Sequence, residues 1–417
     1  MDLLDYAEGR IDAFLHEIEK LGESEFPYSH SKQALDVLRI RYREEKGQLN
    51  RLRRLRNTPD AKDTIRERCG GSLRLLATDP SLLGFILRST NVRNAFEVYG
   101  PLLKICRQLL GDQAKLILSS EWSYIPHTYP YSTITNLPEF VLIGLPAPES
   151  SNPLLLPLAG HELGHSIWRH RKIEEKIRAR LMKAIENSLG HQEPSERSNE
   201  LTTEDSDVPI HKWRNAHILA MHQAQESFCD FIGLGIFGAA YPNAFAYLVS
   251  PGYSGTRSAR YPKLSRRVSD IKKAAGVYHV EIGPDYEHQF LDEADPKTSE
   301  QEPNDVQLAD QASAAIVNDL ISLAQDVVKT PTADSSSGTA EDRAERLRKF
   351  VPIEHSGGLA NILNAGWTVY KELLHPPSSD QPDEGLPRDK IRALHETILK
   401  SIEVYEIETI TAPADHA

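Results

Sequence analysis

The chain has 417 residues, enough for two or three domains, and at 40% hydrophobic it can bury a substantial core. A formal net charge of −12 argues against general nucleic-acid binding by the whole molecule. Cys69, Cys106 and Cys229 are too few and too scattered for a disulfide framework or a cysteine-rich metal site, which excludes a small secreted scaffold and fits a reducing compartment.

The amino terminus lacks a basic stretch followed by an apolar one, so no signal peptide is expected, and no apolar run is long enough for a bilayer. A cytoplasmic location with no membrane partner is therefore expected. Residues 1–22 place Leu4, Ala7, Ile11, Phe14, Leu15 and Ile18 on one stripe, the pattern of an amphipathic helix. Residues 32–56 repeat the pattern with Leu35, Leu38, Tyr42, Leu49, Leu52 and Leu55, and a helical hairpin is expected. The stretch Arg39–Arg56 carries eight basic residues against two acids. It reads as a solvated helix face, with docking of nucleic acid or an acidic partner as the weaker alternative. Residues 61–111 should form shorter helices broken at Gly70-Gly71, Pro80 and Pro101.

Residues 114–146 carry the β signal, in Lys115–Ser119 and Phe140–Leu145. The second of these could lend an edge to an extended peptide or be an ordinary interior strand. Then comes Leu158-Ala-Gly-His-Glu-Leu-Gly-His-Ser-Ile-Trp168, an HExxH arrangement set among apolar residues. On a helix, His161 and His165 stand one above the other and can hold one Zn2+, with Glu162 beside them as general base. Core histidines bonded to carbonyls are the plainer alternative. His170, five residues beyond His165, points to another side and reads as a surface residue. The short HExxHxxGxxH pattern is not met.

Ser188–Pro209 is polar and reads as an exposed insertion. The next apolar-periodic stretch contains His222-Gln-Ala-Gln-Glu-Ser-Phe-Cys-Asp230. Glu226 and Asp230 are four apart, so one carboxylate can bind metal while the other accepts the free N–H of a ligating histidine. His222, one turn before Glu226, is a competing ligand or a hydrogen-bonding support. This pairing of HExxH with a downstream ExxxD resembles the gluzincin class of zinc metallopeptidases, over roughly residues 135–275. The resemblance implies a zincin-like core, His161, His165 and Glu226 as zinc ligands, Glu162 as base, and Asp230 behind the ligands.

Farther on, Arg260-Tyr-Pro-Lys-Leu-Ser-Arg-Arg-Val is similar to the His-Pro…Arg stretch of some gluzincins, with Tyr261 where that stretch has His. Tyr261 is the expected oxyanion donor, ahead of Tyr253. Pro262 also suits the first turn of a helix. No Gly-x-Met-Glu-Asn-like segment is present upstream, which tilts the expectation from aminopeptidase to endopeptidase. Leu291–Asp305, Thr330–Asp342 and Pro376–Pro387 read as polar linkers, with helices near 306–328, 357–374 and 388–404.

The expected fold is mainly helical with a small β-sheet. Three regions are expected: a helical region with a hairpin over 1–111, a zincin-like catalytic domain over 112–290, and a helical region with polar linkers over 291–417. The expected function is hydrolysis of peptide bonds in a protein or peptide substrate by a zinc endopeptidase. The alternative is a non-catalytic zinc-containing regulatory or scaffold protein acting through its helical arms.

Overall fold

The computed structural model describes residues 3–55, 58, 61–91, 96–122, 137–190, 207–252, 256–292, 304–329, 338–375 and 387–411. The described residues are mainly helical, with one small parallel sheet. No helix among them is long and apolar enough to cross a membrane. The chain divides into two compact units, residues 1–107 with 111–151, and residues 108–110 with 152–417.

In the first unit, α1 (Leu3–Gly22) and α2 (Ser29–Arg53) form the hairpin, and α3 (Ala61–Arg88) packs against both. Leu4, Ala7, Ile11, Leu15 and Ile18 of α1 meet Leu35, Leu38, Tyr42 and Leu49 of α2 in one core with Phe85 and Ile86. Most of the stripe read from the sequence is thus the buried face, but Phe14 and Leu52 are only partly buried, and Leu55 lies exposed beyond the end of α2. The Tyr42 hydroxyl keeps a partner there by donating to Asp79 at 2.8 Å.

The expected breaks at Gly70-Gly71 and Pro80 do not occur, because α3 runs unbroken through all three residues. A helical glycine costs about 1 kcal/mol and a proline about 3. Full burial of Leu82, Phe85 and Ile86 is worth roughly 1.5–3 kcal/mol per side chain and outweighs those penalties. Pro101 lies in the first turn of α4 (Tyr99–Leu110), where its missing N–H would be unpaired in any case. Strands β1 (Lys115–Glu121) and β2 (Phe140–Pro146) pair in parallel, with Lys115 opposite Phe140 and Glu121 opposite Pro146. Every residue of β2 is buried.

The basic face of α2 is largely neutralised within the unit. Arg43 meets Glu19, Lys46 meets Asp12, Arg53 meets Asp5 and Glu8, and Arg39 meets Asp36.

The second unit is built around α7 (Asp207–Phe237), whose Phe228, Phe231, Ile232, Leu234 and Phe237 are fully buried. Around it pack α5 (Leu158–His170), α6 (Ile173–Gly190), α9 (Leu264–Tyr278), α10 (Asn304–Ala315) and α11 (Val317–Val328). Gly238, at φ 57°, ends α7 in the left-handed region that favours glycine. The chain end thus freed is closed by Asn364 of α13 (Leu359–Leu374). Its amide donates to the Phe237 carbonyl at 2.9 Å, and its carbonyl accepts from Ala240 N–H at 2.8 Å, starting α8 (Ala240–Val249).

The helix expected near 306–328 is two helices, α10 and α11, separated at Ile316. The expected linker Thr330–Asp342 contains the start of α12 (Ala340–Arg348), set by a capping box between Thr339 and Asp342. The last helix, α14 (Arg388–Thr411), packs against α13. Residues 191–206 of the expected insertion, residues 293–303, and most of the other two linkers lie outside the described residues.

Candidate metal centre

Helices α5 and α7 cross at unusually short range, and small residues make that possible. A β-carbon on Gly164 would stand 2.7 Å from the Cys229 Cα, and one on Gly160 would stand 2.9 Å from the Gly233 Cα. These are backbone atoms, so neither clash could be relieved by rotating a side chain. The close crossing brings the i, i+4 pair of α5 to the i, i+4 pair of α7.

His161 and His165 lie with ring centroids 5.0 Å apart, nearly perpendicular. The Glu226 carboxylate reaches both: Oε2 is 3.2 Å from His161 Nε2, and Oε1 is 3.8 Å from His165 Nε2. Ligands about 2.0–2.1 Å from a tetrahedral zinc are roughly 3.3–3.4 Å apart, so these separations suit a shared ion with little movement. The opposite ring nitrogen of His161, Nδ1, faces Asp230 Oδ1 at 2.8 Å. That contact keeps a proton on Nδ1, so a cation displacing the Nε2 proton that faces Glu226 would meet a free electron pair on Nε2. Cys229 belongs to the same neighbourhood, since its sulfur and a ring nitrogen of each histidine lie within 4.8 Å of one another.

Behind Asp230 stand two residues that sequence spacing did not single out for this role. The Tyr241 hydroxyl donates to Asp230 Oδ1 at 2.6 Å. Arg267 donates to both carboxylate oxygens, through Nε to Oδ2 and through its terminal nitrogen to Oδ1 at 2.8 Å. The same guanidinium lies 3.8 Å from Glu226 Oε2 and 5.0 Å from the centre of the Phe245 ring. The Arg266-Arg267 pair is visible in the sequence, but nothing in its spacing says which arginine turns inward. Tyr241 sits in an apolar run with no periodic mark of its own.

Electrostatics follow from this burial. Burial pulls the Asp230 carboxyl upward, but the charge and hydrogen bonds of Arg267, with His161, hold it well below the usual carboxylate range. Burial likewise pulls Glu226 up, and the two imidazoles and Arg267 more than offset it. On His161, burial opposes the charged form, yet hydrogen bonds to Asp230 and Glu226 prevail and push its pKa up to about 10. Burial pushes His165 down to about 4, which leaves a neutral imidazole suited to ligation. Burial raises the Cys229 thiol well above its ordinary value, so the sulfur stays protonated unless a cation binds it.

The other expected residues fall as follows. Glu162 is 5% exposed on α5, beside His161. His222 is half-buried on α7, and among the described residues no hydrogen bond joins it to either imidazole or to Glu226. The Tyr261 ring centre lies 5.8 Å from Arg267 Cζ, and the residue is 43% exposed. Tyr253 lies outside the described residues. His170 is exposed at the end of α5.

No protein-family model, curated protein or solved structure matches the chain.

Proposed function

We propose that the second unit is a zinc-dependent metallopeptidase of gluzincin type, acting as an endopeptidase on a protein substrate. The observation that carries this is the convergence of His161 Nε2, His165 Nε2 and the Glu226 carboxylate, with Asp230 on the far nitrogen of His161. Two imidazoles and one carboxylate are the donor set of a catalytic zinc that keeps a position for water. Zn2+ at such a site supplies a Lewis acid and lowers the pKa of water to about 7.

The chain's own residues would do the rest. Glu162 takes a proton from the attacking water and delivers it to the leaving amine. Asp230 keeps His161 in the ligating tautomer, and Arg267 and Tyr241 hold Asp230 in place by hydrogen bonds to its carboxylate. Tyr261 is the candidate donor to the oxyanion that develops on the substrate carbonyl.

Cys229 favours a second reading. Four protein ligands would close the site and make the ion structural, in keeping with a regulatory or scaffold protein. Glu162→Gln separates the two. A peptidase keeps stoichiometric zinc in that variant and loses cleavage of a denatured protein such as casein. Unchanged cleavage in Glu162→Gln, or no zinc in the unaltered protein, would refute the proposal.

A further inference from the structure

The segment before α9 is pinned to the ligand helix from two sides. Arg257 is 4% exposed, and its guanidinium donates to both oxygens of Asp310, at 3.2 and 2.9 Å. Asp310 Oδ1 also accepts from Gln223 Nε2 at 2.8 Å, and the same amide donates to the Ala259 carbonyl at 2.9 Å. Gln223 completes its bonding by accepting from the Ser313 hydroxyl at 2.8 Å. It sits on α7 next to His222 and three residues before Glu226. On the other side, the Tyr261 ring lies beside Arg267, which holds Asp230 and approaches Glu226. Removing one partner from a buried charged pair is costly, so the Arg257–Asp310 clamp gives this loop a fixed course.

Between these two anchors stands Arg260, and it is exposed. Its neighbours in sequence are already committed. Arg257 binds Asp310, Arg266 binds Asp270 and the Asp310 carbonyl, and Arg267 binds Asp230. Arg260 makes no ion pair or hydrogen bond among the described residues, in a chain of net charge −12. The Ala259 carbonyl, next to it in the chain, accepts from Gln223 Nε2 of α7 at 2.9 Å, three residues from Glu226.

We propose that Arg260 is a specificity-determining residue of this site, taking a carboxylate of the peptide substrate close to the scissile bond. The proposal rests on the peptidase reading. A guanidinium matches a carboxylate with two parallel hydrogen bonds, and at an exposed rim such a pair mainly orients and attracts the ligand. The carboxylate belongs to an Asp or Glu side chain or to the free carboxy terminus of the peptide.

The test uses the full-length, zinc-loaded Glu162→Gln protein and fluorescein-labelled alanine octapeptides. One Glu, Gln or Lys is moved along the peptide, and each peptide is made with a free and an amidated carboxy terminus. Binding is read by fluorescence polarisation, with zinc content measured for every variant. At one position Glu should bind about fivefold tighter than Gln, the size of an exposed ion pair. That preference should vanish in Arg260→Gln and turn toward Lys in Arg260→Glu. A preference tied to the free terminus rather than to a Glu position would assign the carboxylate to the peptide end. Equal affinity for all peptides, or a carboxylate preference that survives Arg260→Glu, would overturn the proposal. Cleavage of the same peptides by the protein with Glu162 in place separates the two readings. Arg260-dependent carboxylate binding without cleavage would refute the peptidase and leave the recognition. Cleavage without any carboxylate preference would refute the recognition alone.

Discussion

Asp230 is the residue on which the candidate centre turns. It is almost fully buried, and it joins His161, Tyr241 and Arg267 through one carboxylate. Replacing a carboxylate that supports a ligating histidine typically weakens metal affinity about 10- to 100-fold. Asp230→Asn keeps the shape and an acceptor but removes the charge that offsets Arg267. Zinc affinity, measured by competition with a chromophoric chelator, should fall by that factor in the variant. An unchanged affinity would mean that Asp230 serves the fold and not the ion. The two histidines, Glu226 and Asp230 were legible in the sequence because each pair shares a helix, where a spacing of four is a distance in space. Tyr241 and Arg267 reach the same carboxylate from 11 and 37 residues away. No local period encodes such an approach, so only the packed structure displays it.

Among the elements, the crossing of α5 and α7 sets the geometry of the centre. Gly164→Ala would place its new methyl against the Cys229 backbone, which cannot yield without moving a helix. Overpacking of this kind costs about 1–3 kcal/mol, and a lower urea midpoint together with lower zinc occupancy is expected. Gly276→Ala on α9 is the control, since its added methyl meets nothing within 4 Å. There the better helix propensity of alanine should be neutral or stabilising by up to about 1 kcal/mol. Equal destabilisation of both variants would contradict the account of the crossing.

The α13–α14 pair adds a pH effect. Burial pushes His395 down to about 4, its ring stacks on Tyr370, and its Nε2 finds no partner among the described residues. An unfolded histidine takes its proton near pH 6.5, so between about pH 6.5 and 4 the unfolded chain binds more protons than the folded one. His395 therefore contributes stability fully above pH 6.5, and that contribution is lost as pH falls toward 4. His395→Phe should narrow the gap between urea midpoints at pH 7 and pH 4.5. An identical gap would show that His395 is not the acid-sensitive group.

Element existence was readable where apolar residues recur with a strong helical period, as in α1, α2 and α13. Local propensity misleads where burial opposes it. Gly70, Gly71 and Pro80 look like punctuation, yet Leu82, Phe85 and Ile86 are buried in a core built with other helices, and that burial carries α3 through them. The start of α12 is not legible in the sequence, because Thr339 and Asp342 have linker composition and only their mutual hydrogen bonds make them a cap.

At the scale of the whole molecule, charge bears on partners. The chain is acidic overall, and the basic face of α2 meets carboxylates of α1 and of its own helix. Neutralised cations release few counterions from a nucleic acid. No binding to a 30-base-pair duplex is expected near 150 mM salt, measured by fluorescence anisotropy. Binding with a steep salt dependence would restore the basic face as a docking surface.

The central claim is a single zinc held by nitrogen and oxygen donors at the α5–α7 crossing. Zinc K-edge absorption on the stoichiometrically loaded protein tests it most directly. The account predicts a first shell of nitrogen and oxygen alone at about 2.0–2.2 Å, with the outer scattering of two imidazoles. A sulfur at about 2.3 Å would bring Cys229 into the shell and contradict the open catalytic site. Failure of the protein to retain one zinc per chain would contradict it altogether.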